Sequence, residues 1–180
     1  MKLFFVAILF YIISCNTQNS NNRMSYNLPT IGMDFSEFAI DFPQVVKGET
    51  NGNKQYNIDD TVNNLAGTWA YTFVDNKLEW FMFNSYSDEI SEQNFNAYMS
   101  ETQNIIENLK IQFGEPKKFI FENKNFKDPF KEMHWGYDVI TALWTTKEMD
   151  FEVKFKFMGS RGEYKFLFSM EFQKHGYEYF

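Results

Sequence analysis

Two segments near the C-terminal end of the chain alternate apolar and polar side chains at every second position. In FEVKFKF (Phe151 to Phe157) the odd-numbered positions are apolar, and in YKFLFSMEFQ (Tyr164 to Gln173) the even-numbered positions are apolar. This period of two is typical of a β-strand with one buried face, because successive side chains of a strand point to opposite sides. The intervening GSRGE contains two glycines and predicts a hairpin loop, so the two strands are expected to pair antiparallel.

Further strands are predicted upstream of this hairpin. WAYTFV and LEWFMF flank Asp75-Asn76-Lys77 and indicate a second hairpin, and shorter strands are expected at Lys118 to Glu122 and Val139 to Thr146. The run Trp80-Phe81-Met82-Phe83 is apolar at consecutive positions, so both faces of that strand are apolar. Either the strand is central and buried on both sides, which its position favours, or one face meets a partner.

Residues Ser91 to Phe113 predict a long amphipathic helix. Ser91 can cap its start, whereas Gly114 and Pro116 are typical of a helix end. Helical spacing puts the following residues on one face: Phe95, Tyr98, Met99, Thr102, Ile105, Ile106, Leu109 and Phe113. Asp128-Pro129 predicts the start of a second, short helix.

These segments together predict an α+β domain, in which an antiparallel β-sheet carries one long amphipathic helix and shorter helices on one face. A weak internal repeat supports two tandem helix-plus-strands units. IDFPQ (Ile40 to Gln44) precedes Thr68-Trp69 and a hairpin, and IQFGEP (Ile111 to Pro116) precedes Leu143-Trp144 and a strand.

The N-terminal stretch has the features of a targeting segment. Lys2 precedes an apolar run from Leu3 to Ile13, which is shorter than the about 20 residues of a membrane-spanning helix but typical of a signal peptide. The following Ile12-Ile13-Ser14-Cys15 resembles a bacterial lipobox, and Cys15 is the only cysteine. The resemblance implies cleavage before Cys15 and lipid attachment to its thiol. The alternative is an ordinary leader or membrane anchor with a free cysteine.

We therefore expect a signal peptide at 1–14, a lipidated flexible tether at 15–29 and a single domain at 30–180. The tether is polar and cannot bury enough apolar surface to fold by itself. Asn16 replaces the acidic residue that retains some lipoproteins in the inner membrane, so the resemblance favours the cell envelope, at the outer membrane. With Cys15 lipidated, the domain has no thiol for a disulfide.

Composition narrows the range of partners. The formal net charge is -7, and arginine occurs only at positions 23 and 161, which argues against nucleic-acid binding. Aromatic residues make up 20 % of the chain, with 22 Phe. Such a density is consistent with a sugar-stacking or peptide-binding surface, but core packing combined with the codon usage of an AT-rich genome explains most of it.

The strongest candidate for a binding site is the segment His134-Trp135-Gly136-Tyr137-Asp138. Two large amphipathic rings, Trp135 and Tyr137, flank a glycine in what we expect to be a loop entering a strand. His134, Trp135 and Tyr137 are the predicted binding residues. The competing explanation, which we favour, is that Trp135 closes the core beside the short helix.

No motif for catalysis or for a cofactor is present. The sequence contains no Gly-x-Ser-x-Gly elbow, no His-Glu-x-x-His and no glycine-rich phosphate loop, and its two histidines, His134 and His175, are not clustered. We expect no cofactor, no functional metal and no enzymatic activity. Paired carboxylates stay open, because such a pair meets only in space.

The stretch IGMDFSEF (Ile31 to Phe38) resembles the Gly-Met-x-x-x-Glu helix opening of small lipoproteins related to the outer-membrane barrel-assembly component. Their domain is similar to the tandem helix-plus-sheet fold of the β-lactamase inhibitory protein. The resemblance implies a fold and not a function.

Three functions compete on these observations. The first is a membrane-anchored, non-enzymatic lipoprotein that binds an envelope or surface protein as an assembly, scaffolding or inhibitory module. The second is a surface lipoprotein that binds a glycan or another small ligand through the segment around Trp135. The third is a small hydrolase, which would need two carboxylates facing each other across a pocket.

Overall fold

The computed structural model describes residues 28–43, 46–50, 53–122, 125–126, 136–160 and 163–175. These residues form two helices and eight strands. In chain order they are α1 (Phe35–Asp41), β1 (Val46–Thr50), β2 (Asn53–Val62), β3 (Leu65–Val74), β4 (Lys77–Ser87), α2 (Glu92–Phe113), β5 (Lys118–Phe121), β6 (Gly136–Thr145), β7 (Met149–Ser160) and β8 (Glu163–Lys174).

All eight strands belong to one antiparallel sheet in the order β1-β2-β3-β4-β8-β7-β6-β5. β4 and β8 are neighbours at its centre, where Phe81 lies opposite Phe172. The predicted α+β class with an antiparallel sheet is therefore confirmed.

The alternating pattern of the C-terminal segments corresponds to the burial of their side chains. In β7 Phe151, Val153, Phe155 and Phe157 are at most 1 % exposed, and in β8 Phe166, Phe168, Met170 and Phe172 are fully buried. Phe151 lies opposite Phe172, and Phe155 lies opposite Phe168, so the two buried rows share one side of the sheet. The predicted hairpin is confirmed.

The turn between β3 and β4 follows from its two central residues. Asp75 and Asn76 have φ angles of 50° and 64°, and such left-handed positions are tolerated best by Gly, Asn and Asp. Two consecutive left-handed residues match the right-handed twist of a hairpin. Lys77, which was predicted to lie in the turn, is the first residue of β4 and pairs with Asp34 at 2.8 Å.

Helix α2 is held by its cap and by its apolar face. The Ser91 hydroxyl accepts a hydrogen bond from the Asn94 backbone N–H at 3.1 Å, and Gly114 at the other end has φ 83°. The buried residues of the helix are Phe95, Tyr98, Thr102, Ile105, Ile106 and Leu109. Phe95 contacts Phe155 and Phe166, so α2 covers β7 and β8.

Helix α1 covers the other half of the same side of the sheet. Its Phe38 is fully buried and packs on Tyr71 and Phe73 of β3, with a centroid separation of 4.7 Å to Tyr71. Tyr71 is the cross-strand neighbour of Phe81, which in turn faces Phe172. Both helices therefore lie on one face of the sheet, and the core lies between that face and the helices.

A row of aromatic rings crosses the centre of this core. Tyr71, Phe81, Phe172, Phe151 and Trp144 lie opposite one another on five consecutive strands. Neighbouring rings are stacked, and the tightest contact is that of Phe81 and Phe172 at 4.6 Å and 9°. Many of the abundant aromatic residues therefore serve core packing.

The sequence patterns did not predict β1 and β2. β2 is polar along most of its length, and only Tyr56 and Val62 are buried. The predicted signal peptide (1–14), the predicted tether as far as Asn27 with Cys15, and the helix predicted at Asp128-Pro129 lie outside the described residues.

Candidate functional site

The sheet has a second face, on the side opposite the helices. All eight strands belong to this one sheet and both helices lie on its other side, so no further layer of the described chain covers this face. We call it the open face. Its side chains alternate along each strand with those of the core.

Trp80 and Met82 lie at the centre of the open face. Within the run Trp80 to Phe83 of this central strand, Phe81 and Phe83 are fully buried, whereas Trp80 and Met82 are half-buried. The expectation that this strand is buried on both sides is therefore not met in the described part of the chain. The Trp80 indole donates a hydrogen bond to Glu171 Oε1 on β8 at 2.8 Å, which fixes the ring against the neighbouring strand.

Three parallel rows of side chains cross the centre of the open face. The middle row is Thr68, Asn84, Ser169 and Lys154, read from β3 to β7. The row on one side contains Met82, Glu171 and Glu152, and the row on the other side contains Tyr86, Leu167 and Lys156. Tyr86 is 56 % exposed, whereas Leu167 is only 6 % exposed.

Acidic and basic residues occupy different parts of this face. Asp150, Glu152 and Glu171 line a small cavity of about 140 Å³ together with Leu143 and Gln173. Glu152 and Glu171 are direct cross-strand neighbours, an arrangement in which like charges repel. The ammonium of Lys154 partly offsets this repulsion, since it donates a hydrogen bond to Glu152.

The two carboxylate oxygens of Asp150 have different surroundings. Its Oδ2 lies 3.1 Å from Nδ1 of His175. Its Oδ1 is buried and has no hydrogen-bond partner within the described residues. These residues do not form a metal centre: no group of three or more His, Cys, Asp or Glu side chains in the described ranges is placed to hold an ion.

A larger cleft lies at the end of β6, β7 and β8 and has a volume of about 470 Å³. Its lining includes Tyr137, Asp138, Lys156, Met158 and Lys165. The Tyr137 ring packs on Phe157 with a centroid separation of 5.4 Å. Tyr137 therefore lies beside a concave surface of ligand-binding size, and its predicted binding role stays a prediction.

Gly136, which lines this cleft, allows a close approach of β6 to β7. It has φ 130°, and a Cβ at this position would lie 2.6 Å from the Phe157 carbonyl oxygen, so a larger residue would displace the β6 backbone from β7. Gly136, Tyr137 and Asp138 belong to β6, so the expectation of a loop is wrong for these three residues. The other two predicted binding residues, His134 and Trp135, lie outside the described residues.

The tyrosines with clearly shifted pKa values lie on the helix side of the sheet. Burial raises the pKa of Tyr71 far above its ordinary value, and the charge of Asp60 adds to this effect. Burial also raises the pKa of Tyr98, although a hydrogen bond with Ser85 at 3.0 Å opposes the shift. Both side chains belong to the core cluster, so these shifts indicate packing and not a reactive group.

Comparisons with family models, with curated proteins and with solved structures found no match to this chain. Among the helices of the described chain, none is both long and apolar enough to cross a membrane. The open face and its cleft must therefore be interpreted from their own geometry and chemistry.

Proposed function

We propose that this protein is a lipid-anchored lipoprotein of the cell envelope whose domain binds another protein through the open face. The domain acts as a non-enzymatic assembly, scaffolding or inhibitory module. The observation that carries this proposal is the placement of Met82, a large and half-buried apolar side chain, at the centre of a sheet face over which the described chain places no further strand or helix. Aromatic residues and Met are enriched in protein interfaces.

The dimensions of the open face suit a protein partner. Eight strands spaced about 4.8 Å apart span about 34 Å, and strands of about eight residues extend about 27 Å. Their product is about 900 Å², close to the about 800 Å² that each partner contributes to a standard interface. A small ligand would contact only a fraction of this area.

The composition of the face also suits an interface. The half-buried Met82 and the exposed Tyr86 lie on β4 at the centre, and charged residues of both signs lie towards β7. An apolar centre with a polar rim is the usual anatomy of a protein interface. Met82 is half-buried, so part of its side chain is accessible to a partner.

Attachment through Cys15 is part of the proposal. It rests on the lipobox-like sequence Ile12 to Cys15 at the end of the apolar run. Several acyl chains would hold the domain durably at a membrane, whereas one would not. Replacement Cys15→Ala should release the protein from the membrane fraction, and Ser20→Ala in the tether is the control. Unchanged fractionation of Cys15→Ala would refute lipid anchoring.

We further propose that the domain consists of two tandem units. In each half, one helix is followed by four strands, and the last strand of the first half (β4) pairs with the last strand of the second half (β8). The tandem arrangement of the β-lactamase inhibitory protein is similar in outline. This supports a binding function only by analogy, because fold does not determine function.

The binding proposal is tested by crosslinking in intact cells. A lysine-reactive crosslinker should capture a reproducible protein band with the native chain, and Met82→Lys should abolish it by placing a charge at the centre of the interface. Ile111→Lys is the matched control, since Ile111 is an apolar residue of α2 with 70 % exposure on the helix side. If Met82→Lys and Ile111→Lys both leave the band unchanged, the open face is not the interface.

The alternative function is binding of a glycan or another small ligand in the cleft beside Tyr137. The observation that favours it is the cleft volume of about 470 Å³, which falls in the usual range of ligand sites. A thermal-shift screen with oligosaccharides tests this function. A shift that disappears in Trp135→Ala/Tyr137→Ala and persists in Tyr86→Ala would support it, and the absence of any shift would remove its support.

A further inference from the structure

We propose that the ligand of the cleft at the end of β6, β7 and β8 is an acidic sugar, whose carboxylate binds between Lys156 and Lys165. This inference rests on the alternative function, small-ligand binding in the same cleft, and it names the chemical class of the ligand. It does not depend on the protein interface around Met82. The observations that carry it are the positions and the partners of the charged side chains that line the cleft.

Two lysines of neighbouring strands line the cleft. Lys156 lies on β7 and Lys165 lies on β8, and the register pairs Lys156 with Leu167 and Met158 with Lys165. The two lysines are therefore diagonal neighbours on one face of the sheet, and long side chains at such positions are within reach of each other. Because both carry a positive charge, they repel each other, and an anion between them would replace this repulsion by two attractions.

Lys156 has no partner within the described chain. Its side chain is half-buried, and it forms no hydrogen bond or salt bridge with another described residue. Asp138 is its cross-strand neighbour on β6, but no salt bridge joins these two side chains. A partly desolvated charge without a partner is unfavourable, so a ligand that brings an anionic group to Lys156 is stabilised by this position.

Lys165 has a partner at the protein surface. Its Nζ lies 3.5 Å from Oδ1 of Asp88, whose side chain is 82 % exposed. Exposed ion pairs of this kind contribute little, because water and salt screen them. The ammonium of Lys165 has three donor hydrogens, so it can bind a carboxylate in the cleft without leaving Asp88.

Two carboxylates, those of Asp138 and Glu163, also line the cleft and restrict the class of anion. A phosphate monoester carries a charge of about -1.5 to -2 at pH 7, and these carboxylates would repel it. Ionised carboxylates accept hydrogen bonds and donate none, so they favour a ligand with several hydroxyl donors. A ligand with one carboxylate for the lysines and several hydroxyls for the acidic residues is a uronic acid or a similar acidic sugar.

The cleft also offers apolar surface to the ring of a sugar. Met158 is 40 % exposed and is the direct cross-strand neighbour of Lys165. A sugar ring can pack its C–H face on such a side chain while its polar groups contact the charged residues, which is the usual division of roles in a ligand pocket. The cleft volume of about 470 Å³ falls within the usual range of such pockets.

Isothermal titration calorimetry of the purified full chain tests this inference. The probes are glucuronate and galacturonate, their neutral counterparts glucose and galactose, disaccharides of the same four sugars, and inorganic phosphate. At least one acidic sugar should bind about tenfold more tightly than its neutral counterpart, because hydrogen bonds to a charged group are stronger than those to a neutral one. Added salt should weaken the binding of the acidic sugar more than that of the neutral one.

Replacement of Lys156 tests the position of the carboxylate. Lys156→Met should lower the affinity for the acidic sugar about tenfold and leave that for its neutral counterpart nearly unchanged. Lys147→Met is the matched control, since it removes the same charge from an exposed residue between β6 and β7, at the opposite end of these strands. Lys156→Arg should retain most of the affinity, because a guanidinium also binds a carboxylate. An unchanged thermal unfolding curve of Lys156→Met excludes misfolding as the cause of the loss.

The outcomes separate this inference from the function on which it rests. If neutral sugars bind as tightly as their acidic counterparts, the acidic ligand is refuted but small-ligand binding stands. If phosphate binds as tightly as the acidic sugar, or if Lys156→Met and Lys147→Met lose affinity equally, the proposed site for the carboxylate is wrong. If no sugar binds, this inference and the alternative function are both overturned, whereas crosslinking through Met82 tests the protein interface independently.

Discussion

Phe172 is the side chain whose removal should damage the fold most directly. It lies on β8 at the junction with β4, is fully buried, and packs against the rings of Phe81 at 4.6 Å and Phe151 at 5.2 Å. The substitution Phe172→Ala removes one whole ring from the centre of the aromatic row. The two halves of the sheet are joined at this point.

The expected loss in the free energy of unfolding follows from the burial of Phe172 and from its ring contacts. Replacing a fully buried Phe by Ala costs about 3–5 kcal/mol, as the sum of lost transfer free energy and the cavity left behind. Phe172→Leu retains most of the apolar volume but loses the stacking, which is worth about 0.5–1.5 kcal/mol for each aromatic pair. We therefore expect the free energy of unfolding to fall by about 1–3 kcal/mol in Phe172→Leu and by about 3–5 kcal/mol in Phe172→Ala.

Urea unfolding followed by far-ultraviolet circular dichroism measures both losses, and Ile111→Ala is the control. Ile111 is 70 % exposed, so its truncation should change the free energy of unfolding by less than about 0.5 kcal/mol. A double-mutant cycle of Phe81→Leu and Phe172→Leu isolates the stacking contribution. A loss below about 1 kcal/mol for Phe172→Ala, or a coupling of zero in the cycle, would refute this account of the core.

Three other predictions concern stability and use the same urea assay. Gly67→Ala should destabilise the protein by about 1–3 kcal/mol, because its Cβ would lie 2.2 Å from the Asn84 carbonyl oxygen; a neutral effect would contradict that close approach. Ser91→Ala should cost about 1 kcal/mol through loss of the hydrogen bond from the Asn94 N–H, and Ser91→Asp should retain most of it. Burial raises the pKa of Tyr71 above its ordinary 10.0, so the native state keeps a proton that the unfolded chain loses. Stability from this group is therefore complete below pH 10 and falls above it by about 1.4 kcal/mol per pH unit; an equally steep fall in Tyr71→Phe would contradict this origin.

The elements that could be predicted from sequence are those with a strong local pattern. β7 and β8 alternate without interruption, and the aromatic residues at their buried positions leave no ambiguity about which face is inward. The turn at Asp75-Asn76 was predictable because few residue types accept left-handed backbone at two consecutive positions. In these cases the information lies within about ten neighbouring residues.

β2 was not predictable for the opposite reason. Its sequence NKQYNIDDTV is mostly polar, and its position in the sheet depends on nine consecutive partners in β3. Backbone hydrogen bonds to β3 and the packing of Tyr56 against Phe73 and Phe35 compensate for its weak local preference. Tertiary pairing of this kind leaves little trace in the strand itself.

The candidate site was predictable only in part. Tyr137 was identified because large amphipathic rings beside a glycine are unusual, and the structure places it at the cleft. The open face was not identified as a surface, because its rows combine residues as distant in sequence as Met82, Glu152 and Glu171. Only the register of the strands brings such residues side by side.

The run Trp80 to Phe83 shows where local reasoning ends. Apolar residues at four consecutive positions of a strand predict an apolar environment on each side of that strand. This local pattern does not show whether the same chain supplies both environments. The helices supply one of them, to Phe81 and Phe83, and no further strand or helix of the described chain lies over Met82 on the other side. Under the proposed function, a bound protein supplies the second environment, and it should present apolar side chains opposite Met82.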